Sequence, residues 1–161
     1  MNRLFDILTE NNYTISSCES YTGGSFASEL TNIPGASNIF KGSIVCYANE
    51  VKQNVVNVEE NVLNADGAVS YECAYQMAKN TKKMMNTDIC VSFTGNAGPQ
   101  TMENKDCGLV YIGLAFFDEV IVYKLNLSGS RIEIKNKSIS FIIDRILQKI
   151  KEKLQNNSIT L

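Results

Sequence analysis

Residues 34–52 read PGASNIFKGSIVCYANEVK. Pro34-Gly35 is a turn signal, Gly42 to Tyr47 has the apolar and aromatic content of a strand, and Asn49 stands where it can cap a helix over 50–57. Turn, strand and helix in close succession are the repeating unit of an α/β domain. The same stretch holds three groups with chemical potential: Ser37 after the turn, Tyr47 at the end of the strand and Lys52 in the first turn of the helix.

On the N-terminal side, residues 2–11 form an amphipathic pattern with Leu4, Phe5 and Leu8 inward. Tyr13 to Cys18 reads as a strand, followed by ESYTGG (19–24) and a helix expected over about 24–32. On the C-terminal side a short helix is expected over 59–64. Ser70 is then placed to cap a helix with the stripe Ala74, Met77, Ala78, Thr81 and Met85. Ile89 to Phe93 alternates as a strand and ends in TGNAGP (94–99), after which 100–106 is a polar loop. Leu109 to Phe117 is a continuous apolar run, expected to be a central strand buried on both faces. Val120 to Leu127 alternates and returns as its hairpin partner. Ser130-Arg131-Ile132-Glu133 is a capping box. It opens a helix with Ile139, Ile142, Ile143, Ile146, Ile150 and Leu154 inward, and the polar tail after about Leu154 is expected to be disordered. The sum is a single domain over 1–161, a three-layer α/β/α fold around a mixed sheet; the hairpin argues against a purely parallel one.

Composition narrows the chemistry. The 161 residues are 44% hydrophobic and 20% charged, which suits a packed core. A net charge of -2 gives no field directed at nucleic acid, and no apolar run is long enough for a membrane helix. The N-terminus lacks the apolar run of a secretory signal, and the five cysteines are too scattered for a disulfide framework or a zinc site, so a cytoplasmic setting is expected. Cys18, Cys46 and Cys90 fall in strand-like runs and read as small buried hydrophobes. There is no histidine, which excludes Ser–His–Asp and Cys–His nucleophile pairs and any His-ligated metal. The remaining proton carriers are carboxylates, tyrosine, cysteine and lysine.

Lys52 near the N-terminus of a helix stands where the macrodipole disfavours a cation, and burial disfavours it further; such a lysine is suited to act as a general base. Taken alone, Lys52 is as readily a surface lysine, Ser37 a turn serine and Tyr47 a rim aromatic. Together they match a Ser–Lys nucleophile pair with a tyrosine as proton relay. Ser20, Thr22, Gly23 and Gly24 open one small-residue loop, and Thr94, Gly95, Ala97 and Gly98 form another. Such loops bring main-chain N–H groups close to an anion, though plain turn chemistry explains them too. Arg131 in a first helical turn opposes the macrodipole, and a bound phosphate would account for it.

The motifs ESYTGG, PGAS, YANEVK, GAVS, TGNAGP and SGSR, in this order, resemble those of the CinA C-terminal domain family over about residues 4–150. The resemblance implies a nicotinamide-nucleotide amidase, converting nicotinamide mononucleotide to nicotinate mononucleotide and ammonia without metal or organic cofactor. By matching position it places the nucleophile on Ser37, the base on Lys52 and the assisting tyrosine on Tyr47. It places the family's TGxAGP threonine on Thr94 and its SGxR arginine on Arg131; with the small-residue loops, the expected substrate contacts are Ser20, Thr22, Gly23, Gly24, Asn49, Thr94, Gly95, Ala97, Gly98 and Arg131. It further implies a homo-oligomer with a small-molecule nucleotide as partner. The family is often fused to a larger N-terminal domain, so the chain reads as the stand-alone form. The sequence departs from the family pattern at Tyr21, where cysteine is usual, at Asn96, at QTMENKDCG (100–108) and at Lys135, where a second arginine is common. Two other readings are a nucleotide-binding module of the same fold without catalysis, and a cysteine-based hydrolase, which the lack of histidine counts against.

Overall fold

The computed structural model describes residues 1–159, except for the side chains of 157–159. Its elements are α1 (Asn2–Glu10), β1 (Ile15–Glu19), α2 (Ser25–Thr31), a 3-10 turn (Ala36–Asn38), β2 (Phe40–Val45), α3 (Asn49–Asn54), α4 (Glu60–Ala65), α5 (Tyr71–Met85), β3 (Ile89–Gly95), β4 (Leu109–Phe116), β5 (Glu119–Asn126) and α6 (Arg131–Ile159). The five-stranded sheet has the order β2-β1-β3-β4-β5. β1 pairs in parallel with β2 and β3, whereas β3–β4 and β4–β5 are antiparallel. This is the mixed sheet expected from the sequence. β1 and β3 are buried at every residue, so their polar side chains, Ser16, Ser17 and Glu19 in β1 and Ser92 and Thr94 in β3, lie inside the fold rather than on a solvent face.

The two faces of the sheet differ in side-chain size, and this decides where each helix packs. Ile15, Ile89, Val91, Phe93, Ile112 and Leu114 point to one face and meet Leu4 and Leu8 of α1, Phe26 and Leu30 of α2, and the isoleucine stripe of α6. The other face carries small groups, so α5 lies close to it. Ala78 of α5 packs on Cys90 and Ala115, and the Ser92 hydroxyl donates to the Ala74 carbonyl at 2.7 Å. A Cβ at Gly113 would collide with Ser92 Oγ and stand 2.6 Å from the Ala74 carbonyl. The close approach of α5 therefore requires glycine there.

Two helix starts, those of α5 and α6, carry the caps expected from the sequence, and a third does not. Ser70 Oγ accepts from the Cys73 N–H at 3.2 Å, as a capping serine should. At α6, Glu133 accepts from the Ser130 N–H at 2.7 Å and Ser130 Oγ from the Glu133 N–H at 3.3 Å, closing the capping box. Asn49 was expected to cap α3 and does not. It is the first residue of α3, follows Ala48, and makes no side-chain cap. α6 continues to Ile159, past Leu154, where disorder was expected to begin; residues 160 and 161 lie outside the described residues.

The loop between β3 and β4 is held by its own unusual residues. The Asn96 side chain donates to the carbonyls of Met102 and Lys105, both at 3.1 Å, and accepts from the Met102 N–H. Glu103 accepts from the N–H groups of Ala68 (2.6 Å) and Val69 (3.2 Å) and from Lys105 Nζ (2.8 Å). Lys105 also donates to the carbonyls of Asp66 and Val69. Burial alone would raise the Glu103 carboxyl, but the hydrogen bonds from Lys105, Ala68 and Val69 outweigh it and hold it below the ordinary carboxylate value.

Gly113→Ala should cost about 1–3 kcal/mol by overpacking, read as an earlier midpoint in chemical denaturation. Glu103→Gln should lower stability at pH 7 by on the order of 1 kcal/mol. Because the carboxyl is depressed in the folded chain, its contribution is present above the ordinary carboxyl value and lost as pH falls through the lower folded one. The gap between parent and Glu103→Gln should therefore narrow below about pH 4 in a denaturation series.

Candidate functional site

In a sheet of order 2-1-3, the chain leaves β1 toward β2 on one side and returns at β3 on the other. The crevice beyond the carboxyl ends of β1 and β3 is where such folds hold ligands. ESYTGG leaves β1 at this point and TGNAGP leaves β3. A cavity of about 100 Å³ sits here, lined by Ser20 and Tyr21, Gly95 to Ala97, Gln100, Met102, Tyr47 and Arg131. It adjoins an outer cavity of about 410 Å³ formed by Tyr47, Gly98 to Met102 and Arg131. A larger cavity of about 970 Å³ between α1 and the end of α6, lined by residues such as Ile7, Leu147 and Lys151, brings no comparable set of groups together.

The most unusual group at the crevice is Lys52. Its side chain is fully buried. Nζ donates to Cys46 O at 2.9 Å, to Tyr47 O at 3.2 Å and to Ser20 Oγ at 3.1 Å. Among the described residues no carboxylate forms an ion pair with it. A buried cation without an anionic partner is costly. The two carbonyls fix the nitrogen so that it stands within hydrogen-bond distance of a serine hydroxyl at the mouth of the crevice.

The hydroxyl that meets Lys52 is Ser20. Ser37 was expected there, but it is exposed in the 3-10 turn before β2, whereas Lys52 follows β2. The six residues of β2 separate them, a span of roughly 20 Å at the usual rise per residue. Within the chain no Ser37–Lys52 pair forms. Tyr47 gives its main-chain carbonyl to Lys52, while its hydroxyl accepts from Arg131 Nη2 at 2.7 Å, so that hydroxyl is not in the Ser–Lys pair.

Arg131 reaches across from the first turn of α6. Its Nη1 donates to Gly98 O at 2.8 Å and its Nη2 to Tyr47 Oη, both neutral acceptors, so its charge is free to meet an anion. Lys135, one turn on, brings its Nζ against Gly23. Gly95 and Ala97 line the inner cavity and Gly98 the outer one. Thr94 does not line either: its buried hydroxyl donates to Ala68 O at 2.5 Å. Thr22, Gly23, Gly24 and the exposed Asn49 also lie outside the cavity lining, and the buried Thr22 hydroxyl has no partner among the described residues.

The sequence reading missed Glu19. Its carboxylate, fully buried, accepts from the N–H groups of Phe26 (3.2 Å) and Ala27 (3.0 Å), and from Ser17 and Ser43. It therefore fills the start of α2, the end expected to face an anion. Glu19 O accepts from the Cys46 N–H at 2.9 Å, which ties the chain beside Ser20 to the carbonyl that holds Lys52. Tyr21, Asn96, Gln100 and Met102, which the sequence marked only as departures from the family pattern, are further lining residues. Tyr21 is fixed by a 2.7 Å hydrogen bond to Ser138, and burial first among the causes pushes its phenol well above the ordinary value.

Comparison with known proteins gives one consistent result. The family described as the CinA C-terminal domain matches residues 1–150. A Bacillus cereus protein named competence-damage inducible protein is 44% identical over 151 residues, or 93% of this chain, and one from Bacillus mycoides is 45% identical over 147 residues, or 91%. The chain spans only 37% and 36% of the length of these relatives. The crystal structure of competence damage-inducible protein A from Klebsiella pneumoniae superposes with a TM-score of 0.90 at 22% identity, covering 93% of this chain and 94% of that one. That of the competence/damage inducible protein CihA from Agrobacterium tumefaciens gives 0.87 at 28% identity, covering 91% of each. Fold, family match and close relatives agree: the chain belongs to the CinA C-terminal domain family.

Proposed function

We propose that the protein is an amidohydrolase acting on the carboxamide of nicotinamide mononucleotide, with Ser20 as nucleophile and Lys52 as base. The observation that carries this reading is the buried Lys52 Nζ, bound to two main-chain carbonyls and the Ser20 hydroxyl. In the reacting form the amine takes the Ser20 proton while Oγ attacks the carboxamide carbon. The oxyanion is met by main-chain N–H groups. Tyr21 and Ala97 line the inner cavity, and their N–H groups donate to no group among the described residues. Protonated Lys52 then passes its proton to the departing nitrogen, and ammonia leaves. Water, deprotonated by Lys52, cleaves the acyl-Ser20 ester and releases nicotinate mononucleotide. The ring occupies the small inner cavity, and the ribose 5′-phosphate lies in the outer one against Arg131, with Lys135 nearby. Tyr47 positions Arg131 through its hydroxyl and Lys52 through its carbonyl.

Ammonia release from nicotinamide mononucleotide should fall by on the order of 10³-fold or more in Ser20→Ala and in Lys52→Met. Ser37→Ala should stay within about twofold of the parent, as surface substitutions away from a site do. The opposite pattern, with Ser37 essential and Ser20 dispensable, overturns the nucleophile and requires a second copy of the chain to bring Ser37 to Lys52. Binding of the nucleotide without ammonia release would make the protein a non-catalytic binding module. Arg131→Met should raise KM for nicotinamide mononucleotide about tenfold to a hundredfold, the worth of a charge-assisted contact. It should change that for the phosphate-free nicotinamide riboside far less.

A further inference from the structure

Directly beneath the Ser20–Lys52 pair lie two cysteines from neighbouring strands. Cys18 is in β1, and Cys46 immediately follows β2. Both are fully buried, and their sulfurs are 3.4 Å apart, in contact. The other cysteines have no such neighbour. Cys73 donates to the Met77 thioether and Cys90 toward the Val91 carbonyl. Burial pushes both of those thiols up to about 12, while Cys107 stands alone and exposed. Cys46 differs again. The hydrogen bond from Cys18, against the penalty of burial and with help from Lys52, holds its thiol below the ordinary value, while that same bond and burial raise Cys18. Cys46 has no exposed surface of its own, but its chain neighbours Val45 (48% exposed) and Tyr47 (61%) do, at the end of an edge strand, so a small peroxide reaches the sulfur when that strand end opens.

We infer that Cys18 and Cys46 are a peroxide-sensitive thiol pair, and that their disulfide switches off the adjacent site. Cys46 sulfur attacks a hydroperoxide oxygen and becomes a sulfenic acid, while the O–O bond breaks and the other oxygen leaves as water or alcohol. Cys18 sulfur then attacks Cys46 sulfur. The S–S bond forms, the S–O bond breaks, and hydroxide departs with the Cys18 proton as water. In total two thiols are oxidised and one peroxide is reduced. The sulfurs must draw together by about 1.4 Å to reach bonding distance. That movement acts on Cys46, whose carbonyl holds Lys52 and whose N–H is held by Glu19 O next to Ser20. A shift of about 1 Å at a reacting pair costs up to about a hundredfold in rate.

The consequence for activity rests on the proposed amidase reading; the disulfide itself does not. The full chain carrying Cys107→Ser, which removes the exposed thiol, would be treated with hydrogen peroxide, alkylated with iodoacetamide and mapped by mass spectrometry. The expected result is a mass lower by about 2 Da and a linked peptide pair containing Cys18 and Cys46. Ammonia release should fall about tenfold or more and be restored by dithiothreitol. Adding Cys18→Ala should abolish the linked pair and leave ammonia release unchanged after a brief peroxide exposure. Recovery of both cysteines alkylated after unfolding, or oxygen added to Cys46 without a link, overturns the thiol pair. A linked pair with unaltered ammonia release overturns the switch. A linked pair in a protein that never releases ammonia leaves the thiol pair standing and removes the amidase reading instead.

Discussion

Everything at the crevice depends on holding the Lys52 Nζ away from water. A fully buried amine must have its hydrogen bonds met from within, and here two are met by main-chain carbonyls at successive positions, Cys46 and Tyr47. Those carbonyls face Lys52 because the chain bends as it leaves β2 and enters α3, which has its own first residue at Asn49. The third contact, Ser20, comes from the neighbouring strand. The pair is thus a product of parallel β1–β2 pairing, which sets the two strand ends side by side. Moving either strand by one residue would break it.

The asymmetric sheet supports this arrangement from below. Large residues on one face give α1, α2 and α6 a thick layer to pack on. Small residues on the other let α5 approach the sheet closely and hold β3 and β4 through Ser92 and Gly113. β3 in turn fixes β1, since the Ser20 N–H donates to Phe93 O at 2.9 Å. Position is therefore passed from α5 to β3 to the serine through a few short contacts.

Much of this was legible in the sequence, because periodicity, caps and turns act locally. The Ser70 cap, the capping box at Ser130 and Glu133, the stripe of α5 and the β4–β5 hairpin all follow from residues close together in the chain. The site was legible only in part. Lys52, Tyr47, Arg131 and the TGNAGP loop do converge. Ser37 does not, because sequence proximity to Lys52 hides the intervening strand: the two residues flank β2 at opposite ends. Ser20 is 32 positions from Lys52 and becomes its neighbour only through the sheet. Thr94 presented a similar difficulty. Its hydroxyl is consumed by the Ala68 carbonyl, a long-range bond that no local pattern announces. The 100–107 loop departs from the family's usual sequence, yet Asn96, Glu103 and Lys105 form a mutually consistent clamp, a feature visible only once their partners are known.

The carboxyl of Glu19 is taken up by the start of α2, which leaves the charge of the crevice to Arg131. That carboxyl is turned to the N–H groups of Phe26 and Ala27 and lines neither cavity, whereas the guanidinium of Arg131 lines both from the α6 side. Arg131 is the one charged residue among those lining the two cavities, so the positive end of the site is on the α6 side and the sheet side offers neutral groups. The two ends of the crevice thus differ in charge as a consequence of where α6 begins.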